Sequence, residues 1–412
     1  MKLLLNLSVL ILILSYNLCA QKKQILTVDC NGGGDFKTIT EAVESLPMFN
    51  YQRIIIKIQN GVYEEKFKID QDYVSLIGED KERTIIKYNQ LRSDWESNKD
   101  SIGPAVININ GDDIILQNLT VENTQPEIGP HAFVIYGKGT RTIILSCNLL
   151  SKGADTVSLW DYKTGMYYHA DCYFEGAVDF VCPRGWCFIK NSKFYEVKKT
   201  AALWHAGGYN KKQKFVIKDS YFDGVKDFDL GRHHYEAQFY LLNCTFSENM
   251  SDKKIFRVTY EDTTRNQPFN WGERYYFNNC TRSGGNYEWI KNNLNMAERN
   301  PAADEITAAW TFDFMWDPES IEGPKIIKYE ITGTNLKLFF DEHVTVIDNP
   351  VLIAESNKEM KYSTGAGSDT LLFFSDSEIL ENDLKDLKII KGKLIGTKAS
   401  VNERNVNLAI NL

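Results

Sequence analysis

A short unit of alternating polar and apolar residues recurs along the middle of the chain. The units begin at Asn118, Ser146, Asp171, Asn191, Asp219, Asn243 and Asn279, and successive units start 20 to 36 residues apart. The units and their flanks are rich in Val, Ile, Phe and Tyr, are broken by Gly, Asn or Asp, and leave no room for a full helix. Strand units that repeat at this length are typical of stacked coils. The pattern therefore predicts an all-β fold, a right-handed parallel β-helix.

The second position of most units holds a small residue. These positions are Cys147, Cys172, Ser192, Ser220, Cys244 and Cys280. Inward positions of a β-helix stack like on like, so we expect one internal ladder whose cysteines are buried packing residues rather than reactive thiols. Asn118, Asn243 and Asn279 each begin an Asn-x-Thr sequence. Their place beside the ladder favours a structural role over glycosylation.

The chain on either side of the repeat follows other patterns. Thr38 and Glu41 have capping-box spacing and predict a short amphipathic helix that ends near Pro47 and covers the open first coil. Beyond about Gly323 the residues alternate like the strands of a small antiparallel β-sandwich, which we expect to be Ig-like. The predicted organisation is a signal peptide over residues 1–20, a β-helix domain over 21–320 and an accessory domain over 321–412.

The first twenty residues have the features of an export signal. Lys2 precedes an apolar run over residues 3–14, and small or polar residues lead to Ala20, where cleavage is expected. The run is too short to span a membrane comfortably, and no other stretch is long enough. We therefore expect a secreted protein, periplasmic or extracellular, without a membrane span.

Composition narrows the range of partners. The 412 residues are 43% hydrophobic and 25% charged, which is ordinary for a globular protein. The net charge of −8 argues against nucleic acid, and it suits an acidic polymer only where the groove is locally basic or the polymer is esterified. Seven cysteines remain after the signal peptide, an odd number without a CxxC pair, so we expect at least one free thiol and no zinc site. We expect a monomer.

Two aspartates stand at similar distances after the ladder. Asp155 lies eight residues after Cys147, and Asp179 lies seven residues after Cys172. Adjacent coils are about 4.8 Å apart, so we expect the two carboxylates to be neighbours, one of them keeping a proton near neutral pH. Such a pair suits general-acid and nucleophilic catalysis. Asp227 falls seven residues after Ser220, so a turn aspartate that caps its own backbone is the alternative.

A second register predicts a binding face. Twelve residues after the ladder position come His131, Leu159 with Trp160 beside it, Arg184, Trp204 and Arg232. Aromatic rings stack on sugar rings, and guanidinium groups hold carboxylates. Together with the paired aspartates, this row indicates a groove that binds an acidic polysaccharide.

Five sequence blocks resemble the signature blocks of one enzyme family. They are 34–39 (GDFKTI), 61–65 (GVYEE), 153–156 (GADT), 176–181 (GAVDFV) and 230–232 (LGR). In this order they are similar to the blocks of pectin methylesterases, and the resemblance covers roughly residues 25–290. It suggests a divergent member of bacterial type, with the β-helix fold that the repeat predicts.

The resemblance implies a pectinesterase, a carboxylic ester hydrolase that removes methyl groups from pectin without a metal or organic cofactor. Asp179 would attack the ester carbonyl, and Asp155 would protonate the departing methanol and then activate water. Arg232 would orient Asp179 and keep it ionised. His131, Trp160, Arg184, Trp204 and His234 would bind substrate or the oxyanion.

The chain also departs from the family pattern. The family usually has glutamine at the positions of His131 and Ala154, where the side chain stabilises the oxyanion. Ala154 has no donor, whereas a ring nitrogen of His131 could serve. His234 stands where the family has tryptophan, and the Pro183–Arg184 pair replaces Gly-Asn. These changes indicate an altered substrate, a subfamily with its own oxyanion donors, or a weakened or lost activity.

Two other functions stay open on sequence grounds. A polygalacturonase or pectate lyase on the same fold would need an adjacent aspartate pair or a calcium-binding carboxylate cluster. The only adjacent pair is Asp112 and Asp113, in an early coil away from the predicted face. A pectin-binding protein with little or no activity is favoured by Ala154 and His131, but it would not need Asp155, Asp179 and Arg232 together.

Overall fold

The computed structural model describes residues 23–410. Most of that length forms three parallel sheets wound into stacked coils, which confirms the predicted parallel β-helix. Each full coil contributes one strand to each sheet in turn, here called sheets I, II and III.

Sheet I has ten strands. They are β1 (Ile25–Val28), β2 (Ile54–Ile58), β5 (Val74–Gly78), β8 (Ile115–Gln117), β11 (Thr142–Leu145), β14 (Met166–Ala170), β17 (Trp186–Lys190), β20 (Phe215–Lys218), β23 (Phe239–Leu242) and β26 (Tyr275–Asn278). Sheet II has nine: β3 (Gly61–Glu64), β6 (Thr84–Tyr88), β9 (Thr120–Asn123), β12 (Asn148–Ala154), β15 (Tyr173–Ala177), β18 (Lys193–Glu196), β21 (Tyr221–Gly224), β24 (Thr245–Phe246) and β27 (Thr281–Arg282). Sheet III has eight: β4 (Phe67–Ile69), β7 (Ile107–Ile109), β10 (Ile135–Gly137), β13 (Val157–Leu159), β16 (Val181–Pro183), β19 (Ala201–Trp204), β22 (Asp229–His233) and β25 (Phe256–Arg257).

The repeated unit marks the corner between sheets I and II. Its first residue, from Asn118 to Asn279, has a φ between 48° and 56° at all seven repeats. Asn and Asp tolerate this left-handed conformation better than other residues with a side chain, which explains their recurrence there. The next residue points into the core, and all six predicted ladder residues are buried. The thiols of Cys147, Cys172, Cys244 and Cys280 contact backbone carbonyl oxygens, which fits the predicted packing role.

Short helices cover parts of the coil stack. They are α1 (Ile39–Glu44), α2 (Arg92–Ser97) and α3 (Ala308–Thr311), with 3₁₀ turns at Thr263–Arg265, Leu294–Met296 and Glu381–Leu384. The capping box of Thr38 and Glu41 opens α1 as predicted, and Ile39, Ala42 and Val43 bury its inner face against the first coils. No helix within residues 23–410 is long and apolar enough to cross a membrane.

The last part of the chain is antiparallel, as predicted. Its strands are β28 (Ile326–Thr332), β29 (Asn335–Phe340), β30 (Val344–Ile353), β31 (Glu359–Thr364), β32 (Thr370–Phe374) and β33 (Lys388–Gly396), hydrogen-bonded in the order β28-β29-β32-β31-β30-β33. They enclose a hydrophobic core of their own. The domain boundary at residues 320–321 stays a prediction.

A buried arginine joins this antiparallel sheet to the β-helix. The Arg53 guanidinium donates to the backbone oxygens of Thr397 and Asp113, and its backbone N–H donates to Thr345 Oγ1 at 2.8 Å. Burial lowers the pKa of Arg53 to about 10. Separating the two parts would remove these hydrogen bonds, so the contact stabilises the arrangement in which they meet.

The signal peptide predicted over residues 1–20, with Cys19, lies outside the described residues. The seven described cysteines are all free; Cys30 is exposed and the other six are buried. The prediction of a free thiol is therefore met without any disulfide.

Candidate active site

A cavity of about 280 Å³ opens on the sheet III side of the middle coils. Its lining residues are Arg92, His131, Asp155, Ser158, Trp160, Asp179, Cys182, Arg184, Trp204, Arg232 and His234. All eight residues predicted for catalysis or substrate binding are among them. The structure therefore brings together side chains that are up to 103 residues apart in sequence, from His131 to His234.

The two aspartates occupy the corner between sheets II and III. Asp155 has a φ of 60° and Asp179 a φ of 58°. Strand β12 bulges against β15: Leu150 pairs with Glu175, and the next pair is Ala154 with Ala177. The bulge adds two residues to the first coil, and Val178 adds one residue before Asp179 in the second. The aspartates therefore stand eight and seven residues after their ladder cysteines.

Arg232 donates hydrogen bonds from Nε and Nη2 to both carboxylate oxygens of Asp179. Its Nε lies 2.9 Å from Oδ1, and its Nη2 lies 2.9 Å from Oδ2 of the same carboxylate. This paired geometry is among the stronger charge-assisted contacts in proteins and fixes the orientation of the carboxylate. The strand that follows Asp179 is β16, and its neighbour in sheet III is β19. Trp204 of β19 pairs with Arg232 of β22, so strand pairing sets these two residues side by side.

The two carboxyl groups differ in acidity. Burial and the nearby Asp179 charge raise the pKa of Asp155 to about 7. Burial also raises the pKa of Asp179, but the hydrogen bonds and charge of Arg232 oppose that shift. Asp155 is the group that keeps its proton near neutral pH, and Asp179 ionises first. One carboxyl group is therefore an acid and the other an anionic nucleophile, as expected for two aspartates that lie close together.

Stacked rings and a cation form one wall of the cavity. The Arg184 guanidinium carbon lies 3.7 Å from the centre of the Trp160 ring and 5.2 Å from that of Trp204. Trp204 Nε1 donates to Nδ1 of His234 at 2.9 Å, so the neutral imidazole carries its proton on Nε2. His234 therefore keeps one N–H as a donor, and its ring lines the cavity.

His131 lies beside Asp155 in the cavity. Its Nε2 lies 3.9 Å from Asp155 Oδ1, and half of its side chain is exposed. Burial and the charge of Arg92 lower the pKa of His131, so the ring is neutral at neutral pH and still has one N–H to donate. Ala154 is buried and pairs with His131 through its backbone, so its side chain contributes no donor.

The sequence reasoning missed three lining residues. Ser158 and Cys182 pair across adjacent strands of sheet III, and the register continues to Trp204 and Arg232. Counting twelve residues from each ladder position combined residues from two different rows of sheet III. The cause is that the bulge in β12 and the unequal lengths of the coils shift the register from one coil to the next. Leu159 accordingly points into the core, while Trp160 beside it faces the cavity. The pairing of the strands, and not a count along the sequence, identifies Ser158 and Cys182 as members of this row.

Arg92, the third missed residue, begins helix α2 in the insertion between β6 and β7. Its backbone N–H donates to the carbonyl of His131 at 2.9 Å, which docks the helix at the cavity. Its positive charge lowers the pKa of Asp155, against the larger effect of burial. No motif in the short polar helix pointed to this role.

Other predicted carboxylates lie outside the cavity. Asp227 has a φ of 64° but pairs with Lys199 at 3.1 Å, and its side chain is half exposed. Asp113 is fully buried; it accepts two hydrogen bonds from Arg141 and one from the backbone of Ala399. Asp113 therefore contacts the C-terminal part of the chain, whereas Asp112 accepts from the backbone N–H of Thr140, and neither lines the cavity.

Comparisons with known proteins agree with the geometry. Residues 25–223 match the Pectinesterase family model. The chain is 31% identical over 181 residues to probable pectinesterase 50 of Arabidopsis thaliana, covering 42% of this chain and 48% of the relative. It is 30% identical over 169 residues to a pectinesterase of Petunia integrifolia, covering 40% and 43%. The chain spans about half the length of the curated relatives it matches.

Solved structures share the fold. A pectin methylesterase in complex with a hexasaccharide has a TM-score of 0.57 at 22% identity, covering 72% of this chain and 98% of that one. Pectin methylesterase PemA from Erwinia chrysanthemi has the same TM-score at 21% identity, covering 73% and 99%. Together with the family match, these similarities confirm the predicted resemblance to pectinesterases.

Proposed function

We propose, from the pectinesterase match over residues 25–223, that the protein hydrolyses methyl esters of pectin, a methyl-esterified galacturonan. One observation carries the proposal: Asp179, held at both oxygens by Arg232, shares a cavity with an Asp155 whose pKa is about 7. An oriented anion beside a neutral acid is what ester cleavage through an acyl-enzyme needs.

In the first step an Asp179 oxygen attacks the ester carbonyl carbon. The carbonyl electrons move to oxygen, and the tetrahedral intermediate collapses by breaking the bond to the methoxy group. Asp155 gives its proton to that group, so methanol leaves and an anhydride joins Asp179 to the substrate acyl group. The Arg232 contacts steer the nucleophile during this step.

In the second step Asp155, now an anion, takes a proton from water. The resulting hydroxide attacks the substrate carbonyl of the anhydride and releases Asp179 as a carboxylate. The product is a free galacturonate carboxyl group, and Asp155 is again protonated. Each residue returns to its starting state without an external cofactor.

We propose His131 as the donor to the oxyanion, since its neutral ring retains one N–H beside the acid. Trp160, Arg184, Trp204 and His234 would hold the sugar rings and their carboxylates. The cations Arg92, Arg184 and Arg232 make the cavity locally basic despite the net charge of −8. This local charge removes the conflict between an acidic protein and an acidic polymer.

A polymer needs room on both sides of the reacting unit. A second cavity of about 280 Å³ shares Arg92 and Trp160 with the site, and a third of about 480 Å³ shares Arg184. The third is bordered by the rings of Tyr162, Tyr209, Tyr235 and Trp271. These flanking spaces support a substrate longer than one sugar.

The decisive experiment measures methanol release from highly methylated pectin. The wild type should release methanol, Asp179→Ala should release none above background, and Asp227→Ala should match the wild type. Asp227 is the matched control because it has the same backbone conformation at a corner outside the cavity. Equal release by Asp179→Ala would exclude the proposed nucleophile.

The second candidate function is pectin binding without turnover. The buried Ala154 favours it, since no side-chain donor stands where the family has a glutamine. Wild type that binds pectin but releases no methanol would establish this function and exclude the first.

We also propose how the chain is organised and where it acts. Residues 21–320 would form the catalytic domain and residues 321–412 an Ig-like accessory domain. After cleavage near Ala20 the protein would be exported and act on pectin outside the cytoplasm, in degradation or modification of the cell wall. Size-exclusion chromatography with light scattering would test the expected monomer.

A further inference from the structure

The backbone that carries Asp179 has an unusual conformation. Val178 has a φ of 42° and Asp179 a φ of 58°, two consecutive residues in the left-handed region. Aspartate enters this region readily, but a β-branched residue such as valine does so only where the surrounding structure holds it. The position of the nucleophile therefore depends on whatever restrains Val178.

Two contacts from the next coil supply that restraint. The Val178 N–H donates to Thr200 Oγ1 at 3.2 Å, and the Asp179 N–H donates to the Ala201 carbonyl at 2.7 Å. The second is a backbone contact that any sequence could make. The first depends on the hydroxyl group of one side chain.

Thr200 is in turn oriented by Glu196. The Thr200 hydroxyl donates to Glu196 Oε1 at 3.2 Å, and the backbone N–H of Lys198 donates to the same oxygen at 3.0 Å. A threonine hydroxyl that gives its proton to Glu196 can offer only its lone pairs to Val178. Glu196 thus selects the orientation in which Thr200 accepts from the nucleophile segment.

Glu196 is fully buried, and among the described residues its Oε2 has no hydrogen-bond partner. Gly224 on the next coil leaves space for it, since a Cβ there would lie 2.6 Å from the Glu196 carbonyl oxygen and 3.0 Å from its Cβ. Burial raises the pKa of Glu196 to about 9. The residue is therefore a neutral acid, which accepts hydrogen bonds without placing a second anion beside Asp179.

We propose that Glu196 and Thr200 are positioning residues that hold the strained Val178–Asp179 segment in the conformation from which Asp179 attacks. The proposal rests on the proposed function only for the role of Asp179. It assigns a task to a buried carboxyl group that the two-aspartate mechanism does not use.

The test compares kcat and KM for methanol release in five variants. Thr200→Val removes the hydroxyl at nearly constant shape and should lower kcat about 10- to 100-fold with KM within about threefold, because small errors in placing a reacting group are costly. Thr200→Ser and Glu196→Gln, which keep the hydroxyl and the neutral acceptor, should retain most of kcat. Glu196→Ala should resemble Thr200→Val. Thr142→Val is the matched control, a buried threonine in β11 whose hydroxyl has no hydrogen-bond partner.

Wild-type kcat in Thr200→Val would overturn the proposal, as would a Glu196→Gln variant that falls as far as Glu196→Ala. A crystal structure of Thr200→Val gives a second readout that needs no turnover. We expect residues 178–179 to leave their single left-handed conformation. If they keep it, the proposal fails even where the wild type releases no methanol, so this failure is separate from failure of the proposed function.

Discussion

Two kinds of corner in the β-helix have the same local structure and different chemistry. At the corners of Asp155 and Asp179 the aspartates have φ values of 60° and 58°, and at the later corner Asp227 has a φ of 64°. Their side chains are 16%, 11% and 49% exposed. Asp227 faces solvent and pairs with Lys199, whereas the other two face each other in a cavity.

The difference lies in what the neighbouring coils place beside each corner. Asp179 is bound by the guanidinium of Arg232, which is 53 residues further along the chain. Asp155 lies near the charge of Asp179 and near Arg92, whose helix is docked at the cavity. Asp227 pairs with the exposed side chain of Lys199, and a surface contact of this kind contributes little to stability. A left-handed aspartate at a coil corner is thus a structural feature first, and its neighbours give it a chemical role.

The largest contrast should appear when the carboxyl group at each kind of corner is replaced by an amide. We expect Asp155→Asn to lower kcat for methanol release at least about 10³-fold, because an amide cannot protonate the leaving group. Asp227→Asn should leave kcat within about twofold. Steady-state kinetics on methylated pectin measures both, and similar losses in the two variants would contradict the comparison.

Arg232 is what most distinguishes the Asp179 corner from that of Asp227. Arg232→Lys keeps the charge but loses the paired hydrogen bonds, so kcat should fall about 100-fold. The acidic limb of the kcat/KM profile should move to higher pH, because weaker stabilisation of the Asp179 anion raises its pKa. Lys199→Ala, at the other corner, is the control and should change neither. An unmoved acidic limb would show that Arg232 does not set the ionisation of the nucleophile.

His131 adds a donor that the Asp227 corner lacks. His131→Ala should slow turnover about 10- to 100-fold while weakening pectin binding far less, since an oxyanion forms only during reaction. His131→Gln restores the amide that the family usually has and should recover part of the rate. An unchanged rate in His131→Ala would remove the residue from the oxyanion role.

The pH profile should report the raised pKa of Asp155. Because the acid must be protonated, kcat/KM should fall above pH about 7, by about tenfold for each further pH unit. Arg92→Met removes a positive charge that favours the Asp155 anion, so this alkaline limb should move to higher pH. A limb that stays in place would show that Arg92 does not act on the acid.

The smallest expected effect is on stability. The pKa of Asp155 is about 7 in the folded protein against an ordinary value of 3.8, so folding favours the protonated form. Stability from this group is present below pH about 4 and is lost as pH rises to about 7, when the buried carboxyl group ionises. Asp155→Asn should therefore raise Tm by a few degrees more at pH 8 than at pH 5, and Asp227→Asn should show no such trend. Thermal unfolding followed by circular dichroism at the two pH values measures it; an equal change at both would contradict the raised pKa.

Much of the fold was readable because it repeats. The seven units that begin at Asn118 predicted the coils of the β-helix, and the capping box at Thr38 predicted the first helix. The site was readable where its residues stand at a fixed distance from a corner, as Asp179 does. It was not readable where strand pairing departs from counting, as at the bulge in β12, or where an insertion folds back, as at Arg92.

The sequence by itself determined the coil repeat, the left-handed corners and the residues that occupy them, because these follow from side-chain periodicity and local backbone preferences. The tertiary structure alone decided how deeply each aspartate is buried and how Glu196 and Thr200 support Val178. The reason is that burial and charge depend on side chains from coils 20 or more residues away. Their register is set by bulges and insertions that leave no local signal.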